Sequence, residues 1–383
     1  MSNQSRKKKL CFVVACEMTV KAFLKEQISV SHDQYDVSII TNTDNPNSLR
    51  EAGIDGSVFP LKIVRKIAPW QDLKVLMQLI CLFHRERFDI VHSVTPKAGL
   101  LATLAGVLVR IPVRLHTFTG QVWVTQQGFF RWLLRSMDRL MATCATHLLA
   151  DSASQRDFLI EQGIVKPEKI RVLASGSICG VDIQRFRPDP QKRASIRKSF
   201  GIVENDVVFL FVGRLTPDKG MFDLVQAFCQ LGRRCTDAHL LVVGPDECNL
   251  QKEMKELCAE CADRLHFVSY TEYPEQFMAA ADLFCLPSYR EGFGTSIVEA
   301  AATGLPAVAS RIYGITDAVV EEVTGLLHEP GDVDGLADCM SRFVDSPAMR
   351  DSYAHAAYAR ACSKFSSSLV TDALLQYYRT ILP

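Results

Sequence analysis

Two successive series of short apolar runs, most of them followed by a helical stretch, constrain this chain more than any other feature. Leu10–Ala15, Asp36–Thr41, Val58–Ile63, Phe88–Ser93, Val113–Thr117, His147–Ala150 and Ile170–Leu173 read as strands. Residues 19–31, Leu73–Phe88, Pro96–Val109 and Gly128–Thr146 read as helices between them. A segment rich in Gly, Pro and Asp, Gly176–Pro190, interrupts the alternation once. A second series follows: strands Val207–Val212, His239–Val243, His266–Ser269, Leu283–Leu286, Ala307–Ser310 and Gly325–His328. Helices Met221–Gly232, Leu250–Ala262 and Tyr273–Ala280 separate some of these strands, and Ser366–Leu382 closes the chain. Continuous apolar strands alternating with helices specify doubly wound parallel sheets.

At 383 residues the chain exceeds one typical core, so the two series predict an α/β protein of two Rossmann-like domains. Such halves are expected to face a deep interdomain cleft, with ligands at the carboxyl ends of the strands. Equal numbers of basic and acidic side chains, 43 each, give no global field that would attract nucleic acid. The thirteen cysteines are odd in number, and Cys11, Cys81 and Cys285 sit inside apolar runs; reduced thiols in a cytoplasmic protein fit better than a disulfide framework. The basic start, Ser5–Lys9, leads into an apolar run that Glu17 stops, which reads as a strand and not a signal peptide. No apolar run reaches the roughly 18 residues of a membrane span.

Two strand-end loops carry the chemistry. The strand Val207–Val212 runs into Gly213-Arg214-Leu215-Thr216-Pro217-Asp218-Lys219-Gly220. Arg214 can grip a phosphate in a forked geometry and Lys219 adds a point charge. A solvated loop with two ordinary cations would explain Lys219, but not an arginine leaving a buried strand. After Leu283–Leu286 comes Glu291-Gly292-Phe293-Gly294-Thr295-Ser296-Ile297-Val298-Glu299. The glycines permit close backbone approach and positive φ, and Thr295 or Ser296 is placed to cap the next helix. The first-turn amides form an anion site between two carboxylates. Asp332-Val333-Asp334 is the one D-x-D; it follows Pro330-Gly331 and reads as a helix cap. Cys258 and Cys261 form a C-x-x-C without the second pair that zinc needs.

V-G-R-L-T-P-D-K-G (212–220) and L-P-S-Y-R-E-G-F-G-T-S-I-V-E-A-A-A-T-G-L-P (286–306) resemble the family 4 retaining glycosyltransferases of the GT-B fold, in the bacterial capsule and O-antigen branch. S-V-T-P-K-A-G (93–99), L-H-T-F-T-G (115–120) and G-S-I-C-G-V-D (176–182) extend the resemblance into the first half. It implies residues 1–184 as an acceptor-binding domain, to which helix 366–383 returns, and residues 185–365 as the nucleotide-sugar-binding domain. It implies that Arg214 and Lys219 hold the donor diphosphate and stabilise its departure, and that Glu299 binds the ribose. Glu291 would contact the transferred sugar, with Gly292, Phe293, Gly294 and Thr295 beside it. His116 would face the reacting centre from the end of its strand. The implied reaction is transfer of a sugar, an N-acetylhexosamine from a UDP-linked donor, to an undecaprenyl diphosphate-linked saccharide. No cofactor and no metal are expected, since cations and helix amides can carry the leaving-group charge.

The match departs in two places. Many relatives carry paired glycines in the first strand–helix loop, where this chain has Ala15-Cys16-Glu17-Met18-Thr19, and Cys179 stands where asparagine is expected. Competing readings are a GT-B epimerase or phosphorylase, transfer to a soluble acceptor, and a sugar-nucleotide binding protein without turnover. Trp123, Phe129, Phe130 and Trp132 interleave with Arg131, Arg135 and Arg139. That pattern fits either a core-packed helix with a basic outer face or a helix at an anionic membrane surface; its place in the acceptor half favours the second. The expected location is the cytoplasm, peripheral at the inner face of the plasma membrane.

Overall fold

The structure is a computed structural model that describes residues 6–64 and 66–382. Ser5, at the head of the basic run, lies outside the described residues. The chain forms two compact units, one of Met1–Cys179 with Ser367–Pro383 and one of Gly180–Ser366.

The first unit holds a seven-stranded sheet in the order β3-β2-β1-β4-β5-β6-β7. Its strands are β1 (Lys8–Val13), β2 (Tyr35–Thr41), β3 (Ser57–Pro60), β4 (Ile90–Val94), β5 (Val113–Phe118), β6 (His147–Ala150) and β7 (Ile170–Val172), and every pairing is parallel. Alternate residues of β1 enter opposite cores. Leu10 and Phe12 meet Leu24, Ile28, Leu374 and Tyr378 on one face; Cys11 and Val13 meet Val75, Leu79, Ala98 and Leu101 on the other. Helices Pro69–Glu86, Pro96–Val109 and Gly128–Cys144 therefore form one layer, each packed on the next. The last helix, Ser367–Ile381, covers the opposite face beside Lys25–Ser31. There the Tyr378 hydroxyl lies 2.6 Å from Nδ1 of His92.

The second unit holds six parallel strands in the order β10-β9-β8-β11-β12-β13. They are β8 (Val207–Val212), β9 (Ala238–Val243), β10 (Leu265–Val268), β11 (Leu283–Leu286), β12 (Ala307–Ser310) and β13 (Gly325–His328). The chain enters and leaves this unit side by side, because the Val181 amide donates to the Phe365 carbonyl at 2.7 Å.

The thirteen strands among the described residues are those the apolar runs predict, with ends moved by a residue or a few. The helices differ more. Residues 19–31 divide into a turn at Glu17–Thr19, a π-helical turn Val20–Leu24 and an α-helix Lys25–Ser31. The predicted helix Leu250–Ala262 stops at Leu257 and continues as a tighter 3-10 segment, Ala259–Arg264.

Candidate functional site

β8 is buried along nearly its whole length and delivers Gly213 and Arg214 at its carboxyl end. The loop after β9 lies directly on it. The Gly213 amide donates to the Val243 carbonyl at 3.0 Å. Gly244, at φ +147°, has no room for a Cβ, which would fall 1.8 Å from the Gly213 carbonyl oxygen. Arg214 leaves this crossing with 38% of its side chain exposed and pairs with Glu247 at 2.8 Å. An exposed pair of this kind is worth less than about 1 kcal/mol, so the guanidinium is available to a stronger anion.

Lys219 ends a 3-10 turn, Pro217–Lys219. The next residue, Gly220, sits at φ +68° with its Cα against the Pro287 carbonyl; a Cβ there would approach that oxygen to 2.0 Å. This contact fastens the loop after β8 to the loop after β11. Four polar contacts complete the seam. Lys219 Nζ pairs with Oε1 of Glu291, and the Tyr289 amide donates to the Asp218 carbonyl at 2.9 Å. Arg290 donates to Oδ2 of Asp218 at 2.8 Å, and the Tyr289 hydroxyl donates to Oδ2 of Asp223 at 2.7 Å. Ser288 also donates to Glu291 Oε1, at 2.9 Å. Burial would raise the Asp218 carboxyl, but Thr216, Arg290 and Lys219 outweigh it and hold the group below its usual range. Burial and Asp223 push the Tyr289 phenol up to about 12, so it remains a donor.

Helix Thr295–Ala302 begins at Gly294, in the left-handed region at φ +77°. No side chain caps it, which corrects the expectation that Thr295 or Ser296 would do so. A helix start without a capping side chain is an arrangement that suits an anion. Phe293 is buried against Phe365, with ring centroids 5.2 Å apart, so it offers the site its backbone only. Gly292 is crossed closely by Gly314, whose added Cβ would lie 2.4 Å from the Gly292 carbonyl oxygen. Glu299 is half-buried, and burial pushes its carboxyl up to about 7. Arg185 works against that rise and Glu275 adds to it. Arg185 itself pairs with Glu275 at 2.8 Å and donates to the Glu272 carbonyl. The structure thus brings Lys219 and Glu291 into contact, sets Arg214 on the strand end that leads to Lys219, and surrounds Glu299 with a separate charged pair.

In the first unit two expectations need correction. His116 is not at the end of its strand but inside β5, with 1% of its surface exposed. Its Nδ1 lies 3.0 Å from the Ser93 hydroxyl, and a Cβ on Gly99 would fall 2.4 Å from its Cε1. Burial, with His92 adding, lowers it to about 3, against a small rise from Ser93. The ring is a neutral core hydrogen bonder, too buried to contact a sugar. Trp123, expected among the surface aromatics, is 1% exposed. Its indole donates to Asp138 at 2.7 Å, and Arg131 and Arg135 each stand 5.8 Å from the ring centre. Phe129 and Phe130 are exposed, as is Arg131, whereas Arg135 is half-buried and donates to the Gln162 carbonyl.

Sequence reasoning missed two residues at the carboxyl ends of the first sheet. Thr95 has φ +77°, a rare conformation for a β-branched residue, and its hydroxyl accepts from the Ala15 amide at 3.3 Å. Asp151 follows β6; burial pushes its carboxyl up, and its Oδ1 has no partner among the described residues. Nothing in the local pattern marks the first, although a proline follows it. A lone aspartate after an apolar run is a weak signal for the second.

Among the described residues no group of three or more His, Cys, Asp or Glu is placed to hold a metal ion. Asp332 of the D-x-D accepts from the Gly335 amide at 2.9 Å and caps helix Val333–Asp345. Cys258 and Cys261 are buried in the core of the second unit.

Two Rossmann-like units, with a cationic strand-end loop seamed to a glycine-hinged helix start, define a protein of the GT-B fold. Residues 30–176 match the glycosyl transferase 4-like domain and residues 192–360 match glycosyl transferases group 1. The capsular polysaccharide biosynthesis glycosyltransferase CapM of Staphylococcus aureus is 32% identical over 326 residues, 85% of each chain. The chain belongs to the family 4-like glycosyltransferases and is a glycosyltransferase. A second relative, the UDP-Gal:alpha-D-GlcNAc-diphosphoundecaprenol alpha-1,3-galactosyltransferase of Escherichia coli, is 28% identical over 85% of this chain and 84% of its own. The crystal structure of Anabaena Alr3699/HepE in complex with UDP-glucose superposes with a TM-score of 0.80 at 22% identity, covering 97% of this chain and 99% of that one.

Proposed function

We propose that this glycosyltransferase moves a sugar from a UDP-linked donor to a saccharide on an undecaprenyl diphosphate carrier, in the assembly of a bacterial surface polysaccharide. The observation that carries the donor half is the seam between the two loops. It sets Lys219, Glu291 and the start of helix Thr295–Ala302 on one support, with Arg214 at the head of the same loop. Arg214, Lys219 and the helix amides hold the diphosphate and stabilise the charge that develops as it leaves, without a metal. Glu291 contacts the sugar hydroxyls and Glu299 the ribose. The acceptor hydroxyl attacks the face the leaving group departs from, the departing phosphate takes its proton, and the anomeric configuration is retained.

Support for UDP comes from the Escherichia coli relative, named for UDP-Gal, and from the UDP-glucose complex of the Anabaena protein. Support for the carrier lipid comes from the same Escherichia coli relative. We assign N-acetylhexosamine as the sugar, on the resemblance to surface-polysaccharide enzymes; UDP-galactose and UDP-glucose are the donors that would replace it. Among the described residues no helix is long and apolar enough to cross a membrane. The exposure of Phe129, Phe130 and Arg131 supports a peripheral enzyme that touches anionic lipid at the cytoplasmic face. A panel of nucleotide-sugars, assayed for hydrolysis and for transfer to a lipid diphosphate saccharide, tests this. Turnover of one UDP-sugar supports it. Failure of every donor with folded protein removes the reading.

A further inference from the structure

Helix Pro69–Glu86 is apolar on two sides. Val75, Leu79 and Phe83 face the core. On the outside Trp70, Leu73 and Met77 are exposed, Trp70 at 87%, and Ile67 is exposed just before the helix. Positions 70, 73 and 77 fall on one helical face, so these side chains form a ridge and not a scatter of single residues. Lys62, Lys66 and Lys74 are exposed around it.

The same layer carries a second apolar group. Helix Gly128–Cys144 exposes Phe129, Phe130 and Trp132, with Phe129 and Trp132 in ring contact at 5.7 Å. Helix Pro96–Val109 lies between the two and packs on both. Pro69–Glu86 follows β3 and Gly128–Cys144 follows β5, both strands of one parallel sheet, so each helix begins at the sheet's carboxyl-end rim. Trp70 and Leu73 occupy the first turns of one helix, and Phe129, Phe130 and Trp132 the first turns of the other. The two groups therefore share one rim of one layer, separated by two interhelical spacings, roughly 20 Å.

The exposed charge on this layer is mainly positive. The carboxylates of the three helices are Asp72, Glu86 and Asp138. Asp72 pairs with Lys97 at 2.6 Å, Glu86 pairs with Arg85 at 2.8 Å and with Lys9, and Asp138 is buried against Trp123. Lys62, Lys66, Lys74, Arg131 and Arg139 remain exposed, in a chain whose formal net charge is zero. Aromatic and aliphatic side chains ringed by lysine and arginine fit the headgroup region of an anionic bilayer. A second copy of the chain fits poorly, because a two-fold contact would set like charges against each other.

We propose that the Ile67–Met77 ridge and the Phe129–Trp132 cluster are two contacts of a single docking surface for an anionic lipid bilayer. The inference rests on the reading of a lipid-linked acceptor only for its purpose; the surface is a property of the protein alone. Two contacts at one rim fix how the unit meets the bilayer, where one helix would leave it free to roll. They also set the carboxyl ends of the strands beside the headgroups, where a carrier-lipid diphosphate is presented.

Flotation with vesicles of phosphatidylcholine alone, and of phosphatidylcholine with phosphatidylglycerol, tests this without donor or acceptor. The wild-type protein is expected to float with the anionic vesicles at low salt and to be released as salt rises. The double variant Trp70→Glu with Leu73→Glu is expected to lose at least about tenfold in partitioning, and Phe129→Glu with Trp132→Glu to lose as much. Thermal melting of each variant shows that it is folded. A Trp70/Leu73 variant that melts and floats as wild type overturns the proposal. So does wild-type protein that does not float but sediments as a dimer that the ridge variants break. Transfer to a lipid acceptor with normal flotation of the ridge variants would sink this inference and leave the proposed function standing. Flotation lost in both variants, with no transfer from any donor, would do the reverse.

Discussion

Lys219 and Glu291, 72 residues apart in sequence, meet as an ion pair across the seam between the loops after β8 and β11. Both side chains are about five-sixths buried, at 16% and 15% exposure. The sequence pattern gave them separate tasks, one at the phosphate and one at the sugar. The contact makes them interdependent, since removal of either leaves a partly buried charge. Lys219→Ala and Glu291→Gln are each expected to lower kcat by about 10²-fold or more. The double variant should lose less than the product of the two, and a double-mutant cycle on kcat and on UDP affinity measures the coupling.

Arg214 has a different partner and a different prediction. Its pair with Glu247 is exposed, so Glu247→Gln should leave thermal stability within about 1 kcal/mol of wild type. Arg214→Ala should reduce turnover by about 10²–10³-fold, because it removes the charge stabilisation we assign to it at the leaving diphosphate. Equal rates for wild type and Arg214→Ala would refute the phosphate assignment.

Glu299 gives a pH dependence with a defined sign. Burial raises its carboxyl to about 7, so the ionised form, to which we assign the ribose hydrogen bonds, is populated only as pH rises through that value. UDP affinity should strengthen from pH 6 to pH 8, within about a unit of the transition, and Glu299→Gln should weaken it and flatten the profile. Stability runs the other way. A carboxyl with a folded value above its unfolded one binds more protons when folded, so its contribution falls as pH rises from the ordinary carboxylate range to about 7. Glu299→Gln should therefore melt higher than wild type at pH 8 and lose that advantage near pH 4. Calorimetry at the two pH values, beside UDP titration, checks both signs.

Gly220 holds the seam by its lack of a side chain. Gly220→Ala would set a Cβ 2.0 Å from the Pro287 carbonyl oxygen at φ +68°. The expected result is a loss of about 2–3 kcal/mol in stability, with reduced donor affinity as Lys219 and Glu291 move apart. Melting temperature and UDP titration of the variant read both effects.

The strands were legible because a buried parallel strand is a short continuous apolar run, as in Val207–Val212 and Leu283–Leu286. Arg214, Lys219 and Glu291 were legible for a related reason: each follows such a run, at the strand end where α/β sheets bind ligands. Their pairing was not legible, because it depends on Gly220 and Pro287 touching across the seam. His116 was misplaced because β5 continues to Phe118, one residue past its expected end, and Gly99 makes room for the imidazole in the core. Trp123 looked like a surface aromatic because its partner, Asp138, lies 15 residues away on the next helix. The apolar ridge of Pro69–Glu86 escaped notice for the opposite reason. Its two apolar faces blur into one hydrophobic stretch until the packing separates Val75 and Leu79 from Trp70 and Leu73.

Transfer from a UDP-sugar with retention, carried by the cations of the second unit, is the central proposal. The most direct measurement is a product assay with a UDP-N-acetylhexosamine and a sugar-primed undecaprenyl diphosphate analogue, run with chelator present. Mass spectrometry would read the added residue and NMR its anomeric configuration. One added sugar in the configuration of the donor is expected, at a rate the chelator leaves unchanged and Arg214→Ala lowers by about 10²–10³-fold. An inverted linkage, a strict requirement for added metal, or full activity in Arg214→Ala would contradict it.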